Sequence, residues 1–155
     1  MSVGAFCSRI VVFVGQDDSV ITAAKLMRER HTGSVVVVGD AKQGAFDPVG
    51  MITDRDLVIE LLAEEVDVNS VSVKDVMSPD PVVAHEADSL SDTLKRMRAH
   101  GVRRVPVTNS EGQIVGVLSV DDVISLLASE LNDIDSLILD EQERERGLRV
   151  DYGTA

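Results

Sequence analysis

Two segments of the 155-residue chain carry the residue types from which a small polar site is built. They are Gly50-Met51-Ile52-Thr53-Asp54-Arg55-Asp56 and Gly116-Val117-Leu118-Ser119-Val120-Asp121-Asp122. Both read G-x-x-[ST]-x-x-D at the junction of an apolar strand and a helix. A hydroxyl followed three residues later by a carboxylate is the pattern of a helix capping box. The same types also suit a nucleotide. The free N–H groups and positive dipole end of a helix start attract phosphate. A hydroxyl there adds a donor, and a carboxylate one turn on can accept both hydroxyls of a ribose. Cap and binding site use the same residues, so either segment alone leaves both readings open; two copies in equivalent places single them out.

The places are equivalent because the chain is duplicated. Asp18-Ser19-Val20-Ile21-Thr22-Ala23-Ala24-Lys25-Leu26-Met27-Arg28 returns seventy residues later as Asp88-Ser89-Leu90-Ser91-Asp92-Thr93-Leu94-Lys95-Arg96-Met97-Arg98, with five of eleven positions identical. The G-x-x-[ST]-x-x-D segments are sixty-six residues apart, and the four-residue difference falls in the Gly-containing loop 41–47 of the first copy. Loops absorb insertions where paired strands do not.

Each copy reads as a short strand (10–14 or 82–84), then a helix with apolar residues at Val20, Ala23, Ala24 and Met27, or Leu90, Leu94 and Met97. His31-Thr32-Gly33 and His100-Gly101 supply helix stops. Two strands follow, 34–38 with 49–52 and 104–108 with 113–118, the second pair turning at Asn109-Ser110-Glu111-Gly112. A second helix closes each unit. The expected fold class is α+β: two βαββα repeats packed pseudo-symmetrically as one module, plus an extended C-terminal helix. A unit of about 60 residues buries little surface alone, so the two should face each other. The expected organisation is repeat 1 at 8–66, a linker at 67–75 within the acidic stretch 64–75, repeat 2 at 76–131, and the C-terminal helix and tail at 132–155.

Beyond the second repeat, residues 117–146 contain neither Gly nor Pro, and Ile124, Leu127, Leu131, Ile134 and Ile138 recur at steps of three and four. That stripe suits a coiled-coil-like seam with another subunit, or a helix folded back on its own domain. The run 141–146 reads as a solvated helix face.

Composition excludes several classes. Apolar residues are 44% and charged residues 27%, ordinary for a globular chain, while aromatics are 3% with no Trp. A net charge of −12 repels nucleic acid and anionic membranes, so neither is expected as a partner. Any anionic ligand must be drawn in locally. No apolar run is long enough to span a bilayer, and the first residues lack a basic leader, which makes the cytoplasm the expected location. A lone Cys7 excludes an internal disulfide, and His31, His85 and His100 have no metal-like spacing, so no metal site is expected and the histidines read as helix-end or surface residues.

The duplication, the lead-in Val73-Lys74-Asp75-Val76-Met77-Ser78-Pro79, the strand Gly101-Val102-Arg103-Arg104-Val105-Pro106-Val107 and both G-x-x-[ST]-x-x-D segments together resemble the CBS-domain family in its tandem form, over roughly residues 9–131. The resemblance implies a disc-like homodimer with clefts between repeats that commonly hold adenosine nucleotides. By that similarity Asp56 and Asp122 would bind ribose hydroxyls, and Thr53 and Ser119 would meet ribose or phosphate. Val82, Val83 and Pro106 would wall the adenine. Arg103 and Arg104 match positions that often contact phosphate, and a guanidinium fork suits that anion. The first repeat has Gly33 and Ser34 there, and Val36 in place of Pro106, so phosphate binding should be lopsided.

The expected function is therefore a non-catalytic sensor of AMP, ADP or ATP that signals occupancy to an unidentified client protein, with no obligatory cofactor; S-adenosylmethionine and NAD-type ligands stay open. The alternative is a constitutive dimeric adapter whose nucleotide sites have degenerated into caps. No catalytic residue is assigned: the acids Asp54 with Asp56 and Asp121 with Asp122 sit where helix starts favour acids anyway, and no nucleophile–base pair or phosphate loop is present.

Overall fold

Two serines seventy residues apart start the two matching helices. Ser19 Oγ accepts from the Thr22 N–H at 3.2 Å, capping α1 (Val20–Arg30), and Ser89 Oγ accepts from the Asp92 N–H at 3.5 Å, capping α4 (Leu90–His100). The structure is a computed structural model and describes residues 1–40 and 46–151, with side chains through residue 147. The insertion expected in loop 41–47 thus lies largely outside the described residues. The chain divides into two compact units, Met1–Ser119 and Val120–Ala155.

The first unit holds two sheets. One has the order β1 (Phe13–Gly15), β2 (Ser34–Val38), β3 (Pro48–Thr53), β4 (Ser78–Pro79), with β1 parallel to β2 and the other pairs antiparallel. The other has the order β5 (Ala84–His85), β6 (Arg104–Thr108), β7 (Ile114–Ser119), again parallel then antiparallel. After β3 comes a single turn, α2 (Asp54–Asp56), running into a π-helical segment, Leu57–Leu62. A short helix, α3 (Val73–Val76), precedes β4, and a 3-10 turn occupies Val3–Ala5. The second unit is one long helix, α5 (Val120–Asp151). The expected α+β duplication with an extended C-terminal helix is what the chain forms.

Some boundaries differ from the expected ones. The first strand of each repeat starts later than residues 10–14 and 82–84 suggest. The ladder pairs Phe13–Gly15 with Val36–Val38 and Ala84–His85 with Val107 and Thr108, while Val12 contributes only its carbonyl, which accepts from the Val36 N–H at 3.1 Å. β3 and β7 also extend by a residue at their C-terminal ends. The stop of α1 is His31, which adopts the left-handed conformation itself (φ 51°) while the Thr32 N–H turns back to the Met27 carbonyl at 3.0 Å. Gly33 is not that residue. In the second copy Gly101 (φ 67°) takes the role, as its lack of a Cβ favours.

An exchange between the halves went unread in the sequence. The Val73 N–H donates to the Asp18 carbonyl and the Lys74 N–H to the Gln16 carbonyl, both at 2.9 Å, and β4 then joins the first repeat's sheet. Conversely, the Val3 N–H donates to the Asp88 carbonyl at 2.9 Å, the Gly4 N–H to the Glu86 carbonyl at 2.8 Å, and Ser8 bridges to Val117 on β7. Each repeat's lead-in is thereby built into the other repeat. Val73 lies in the first core with Val14, Val20, Met27, Val35 and Ile52, and Val3 is equally buried. Burying a valine contributes about 1.5–3 kcal/mol, so the crossing is part of the core.

Candidate functional site

The crossing explains the glycine of each motif. A Cβ on Gly50 would lie 2.5 Å from Met77 Sδ and 3.0 Å from the Ser78 carbonyl. A Cβ on Gly116 would lie 2.7 Å from both Cys7 Sγ and the Ser8 carbonyl. The glycines make room for the incoming lead-ins, a packing duty distinct from ligand binding.

Three residues on, the hydroxyl ends its strand. Thr53 is paired across the ladder with Ser34, and Ser119 with Arg104. Arg104 Nη1 donates to Ser34 Oγ at 3.0 Å and to Thr32 Oγ1 at 3.3 Å, seventy and seventy-two residues away. The register and this bridge give the sequence Thr53, Ser34, Arg104, Ser119 across the boundary between repeats. The two strand pairs that end in the motif hydroxyls are thus joined through the Arg104 guanidinium at Ser34 and Thr32. Arg104, expected at a phosphate, and Ser34, which holds the equivalent place in the first repeat, are hydrogen-bonded to each other.

At the first motif the cap is complete. The Thr53 N–H and hydroxyl each donate to Asp56 Oδ2 at 2.8 Å, and the Asp56 N–H donates back to Thr53 Oγ1 at 3.1 Å. All three bonds fall on one carboxylate oxygen and the threonine hydroxyl. At the second motif, Ser119 is buried at the end of β7, and Asp122 is half-buried in the first turn of α5. Arg103 is exposed, immediately before β6.

Of the residues assigned to the adenine wall, Pro106 is buried on β6 opposite Val117. Val82 and Val83 are half-buried just before β5, whose Ala84 pairs with Val107, the residue after Pro106. In the first repeat Phe13 pairs with Val36. Phe13 also meets Phe46, ring centroids 5.1 Å apart, and the Phe46 carbonyl accepts from the Ile114 N–H of the second repeat at 3.2 Å. This aromatic pair was missed because aromatics are so few; the seventy-residue offset, which sets Phe13 against Val83, was the available signal.

The turns ahead of the helices are braced alike but charged differently. Asp18 Oδ2 accepts from the Gly15 N–H at 2.7 Å, and Asp88 Oδ2 from the His85 N–H at 3.0 Å. Asp88 is held below the ordinary carboxylate value, first by that backbone donor and then by Arg96, with which it forms an ion pair. Leu26 stands in the first repeat where Arg96 stands in the second. The histidines sit at turn and helix ends: His31 at its left-handed stop, His85 Nδ1 accepting from the Ala87 N–H at 3.1 Å, and His100 Nδ1 2.9 Å from the Arg96 carbonyl. Among the described residues no three His, Cys, Asp or Glu side chains are grouped to hold a metal ion, and no helix is long and apolar enough to cross a membrane.

With this geometry in hand, the likeness to known proteins is specific. The CBS domain family matches residues 3–63 and 73–129. Hypoxic response protein 1 of Mycobacterium tuberculosis is 34% identical over 113 residues, 73% of this chain and 76% of that protein. The crystal structure of Hypoxic Response Protein I with two coordinated zinc ions superimposes with a TM-score of 0.69 at 30% identity, over 81% of this chain and 98% of that one. An uncharacterized protein of Methanopyrus kandleri is 29% identical over 126 residues; that is 81% of this chain but 62% of the relative, so the chain spans just under two thirds of its length. A CBS domain protein from Pyrobaculum aerophilum complexed with AMP has the same fold, with a TM-score of 0.70 at 22% identity over 79% of this chain and 89% of that one. The matched segments begin with the lead-ins that cross between the sheets, and this chain belongs to the CBS domain family as a tandem pair.

Proposed function

We propose that the chain is a non-catalytic regulatory module that takes AMP, ADP or ATP between its repeats and passes its occupancy to a client protein in the cytoplasm. Arg104 carries this reading. A guanidinium that donates to two hydroxyls, Ser34 Oγ and Thr32 Oγ1, stands where it can also donate to a phosphate, which accepts in bidentate fashion and more strongly than a neutral hydroxyl. Arg103, its neighbour, adds charge that offsets the acidic chain. Thr53 and Ser119 then meet ribose or phosphate, Asp56 and Asp122 accept ribose hydroxyls, and Val82, Val83 and Pro106 wall the adenine. The AMP complex of the Pyrobaculum relative supports the ligand class.

Occupancy becomes a signal because Arg104 ties residues of one repeat to the other. A nucleotide that takes the guanidinium favours a different balance between the repeats, and shifts it only as far as its affinities for the two arrangements differ. The module works as a homodimer. An apolar groove of about 630 Å³, lined by α1 and the π-helical turn, exposes Ile21, Val58 and Leu62, and such a face suits a second copy. Leu62→Glu should convert the dimer to monomer in analytical ultracentrifugation; an unchanged mass assigns the dimer to another surface.

The competing reading is a constitutive adapter. It draws on the cap of Thr53 and Asp56, which is complete without a ligand. Thermal denaturation separates the two. A nucleotide at about a hundredfold excess over its Kd adds about 2.7 kcal/mol, and Asp122→Ala should weaken AMP or ATP binding by about 1.5–3 kcal/mol. If no adenosine compound moves the transition, the adapter reading stands.

A further inference from the structure

The long helix α5 carries a stripe that the nucleotide site does not use. Ile124, Leu127, Leu131, Ile134 and Ile138 are between 45% and 67% exposed. Their steps of three and four align them along one face over two heptads, roughly 21 Å of helix. An exposed apolar stripe of this length is the signature of a surface built to be covered by another helix.

The charges beside the stripe say which helix. From Val120 to Glu143 there are eight Asp and Glu residues and no Lys or Arg. Glu130 and Asp135 occupy the flanking positions that meet across a parallel two-stranded coil, so a second copy would set Glu130 against the other copy's Asp135. The same acids repel anionic lipid, which is drawn to amphipathic helices with basic flanks. Asp121, Glu130 and Asp135 hold flanking positions beside the apolar Val123, Ala128 and Leu137. A helix with an apolar seam and Lys or Arg facing those acids satisfies the stripe and its charged neighbours together.

We propose that α5 is a docking helix for a basic amphipathic helix of a partner protein. The assignment rests on α5 alone and is independent of the nucleotide reading.

The probes are two designed peptides of about 21 residues with Ile and Leu on the seam, one with Lys and one with Glu at the flanking positions. Binding to the full-length protein is measured by fluorescence anisotropy. The Lys peptide should bind at least about tenfold more tightly than the Glu peptide, and its affinity should fall as salt rises from about 0.05 to about 0.5 M. Leu131→Glu should abolish that binding; because Leu131 is two-thirds exposed, the circular dichroism spectrum should stay unchanged. The double substitution Glu130→Lys with Asp135→Lys should reverse the preference toward the Glu peptide. Equal affinity for both peptides, or a Lys peptide still bound by Leu131→Glu, overturns the proposal. So does a fall in the native mass of the unliganded protein on Leu131→Glu, since that would mean a second copy covers the stripe.

Discussion

The two repeats agree where the chain folds and differ where it could bind. Val3 and Val73, Val20 and Leu90, Met27 and Met97, Val35 and Val105, Ile52 and Leu118 are buried pairs at matching positions. Both motif glycines admit a lead-in, and both aspartates ahead of the helices brace a turn. By contrast, Ser34 stands against Arg104, Gly33 against Arg103, Val36 against Pro106, and Leu26 against Arg96. After the shared motif, the first repeat makes a π-helical turn ending at Leu62, whereas the second launches a helix to Asp151. Packing has kept the duplication's symmetry, while charge and helix length have moved to the second half. A symmetric scaffold with asymmetric chemistry can hold a ligand in one orientation.

Substitutions made in matched pairs put this contrast to the test. The largest effects should also be the most equal. Val3→Ala and Val73→Ala each remove a fully buried side chain from a crossing lead-in, and each should cost about 2–3 kcal/mol in urea unfolding. If one of them is nearly neutral, the exchange of lead-ins stabilises only one half. The next effects should be unequal. Gly116→Ala drives a methyl against the fixed Ser8 carbonyl, whereas Gly50→Ala mainly meets the flexible end of Met77. Gly116→Ala should cost about 1–3 kcal/mol and Gly50→Ala less; the reverse order would mean that the Ser8 segment yields more readily than Met77.

The smallest effect concerns pH. Asp88 has its carboxyl held below 3.8 in the folded chain, so its stabilisation is present above that value and is lost as the pH falls through the lowered one. The advantage of the parent over Asp88→Asn should be full near neutrality and shrink in acid below 3.8. It should stay modest, because the Arg96 partner is water-screened. Chemical denaturation at several pH values measures it, and a difference that grows toward acid would contradict the assignment.

Much of this was legible in the residues. The run Ser34–Val38 and its counterpart Arg104–Thr108 end at turns, and their boundaries are those expected. The serine caps and the Gly101 stop follow from residue type. The exchange was not legible in the same way: Ser2, Val3 and Ser8 repeat Ser72, Val73 and Ser78, but three small residues without periodicity are a faint signal. Likewise His31 stops α1 through a backbone conformation that any sequence rule would have assigned to the nearby glycine. The motif hydroxyls were found from spacing, yet the bond from Arg104 to Ser34 joins residues whose proximity depends on how the halves meet. Local chemistry is written locally, and contacts across a pseudo-symmetry axis are not.

Isothermal titration of AMP into the parent, Arg104→Ala and Ser34→Ala proteins tests the central claim most directly. Binding should weaken by about 1.5–3 kcal/mol for Arg104→Ala, the scale of a hydrogen bond to a charged group, and change little for Ser34→Ala, which removes only a neutral hydroxyl that competes for the guanidinium. Equal affinity for the parent and Arg104→Ala, or no heat from AMP, ADP or ATP with the parent itself, would contradict it.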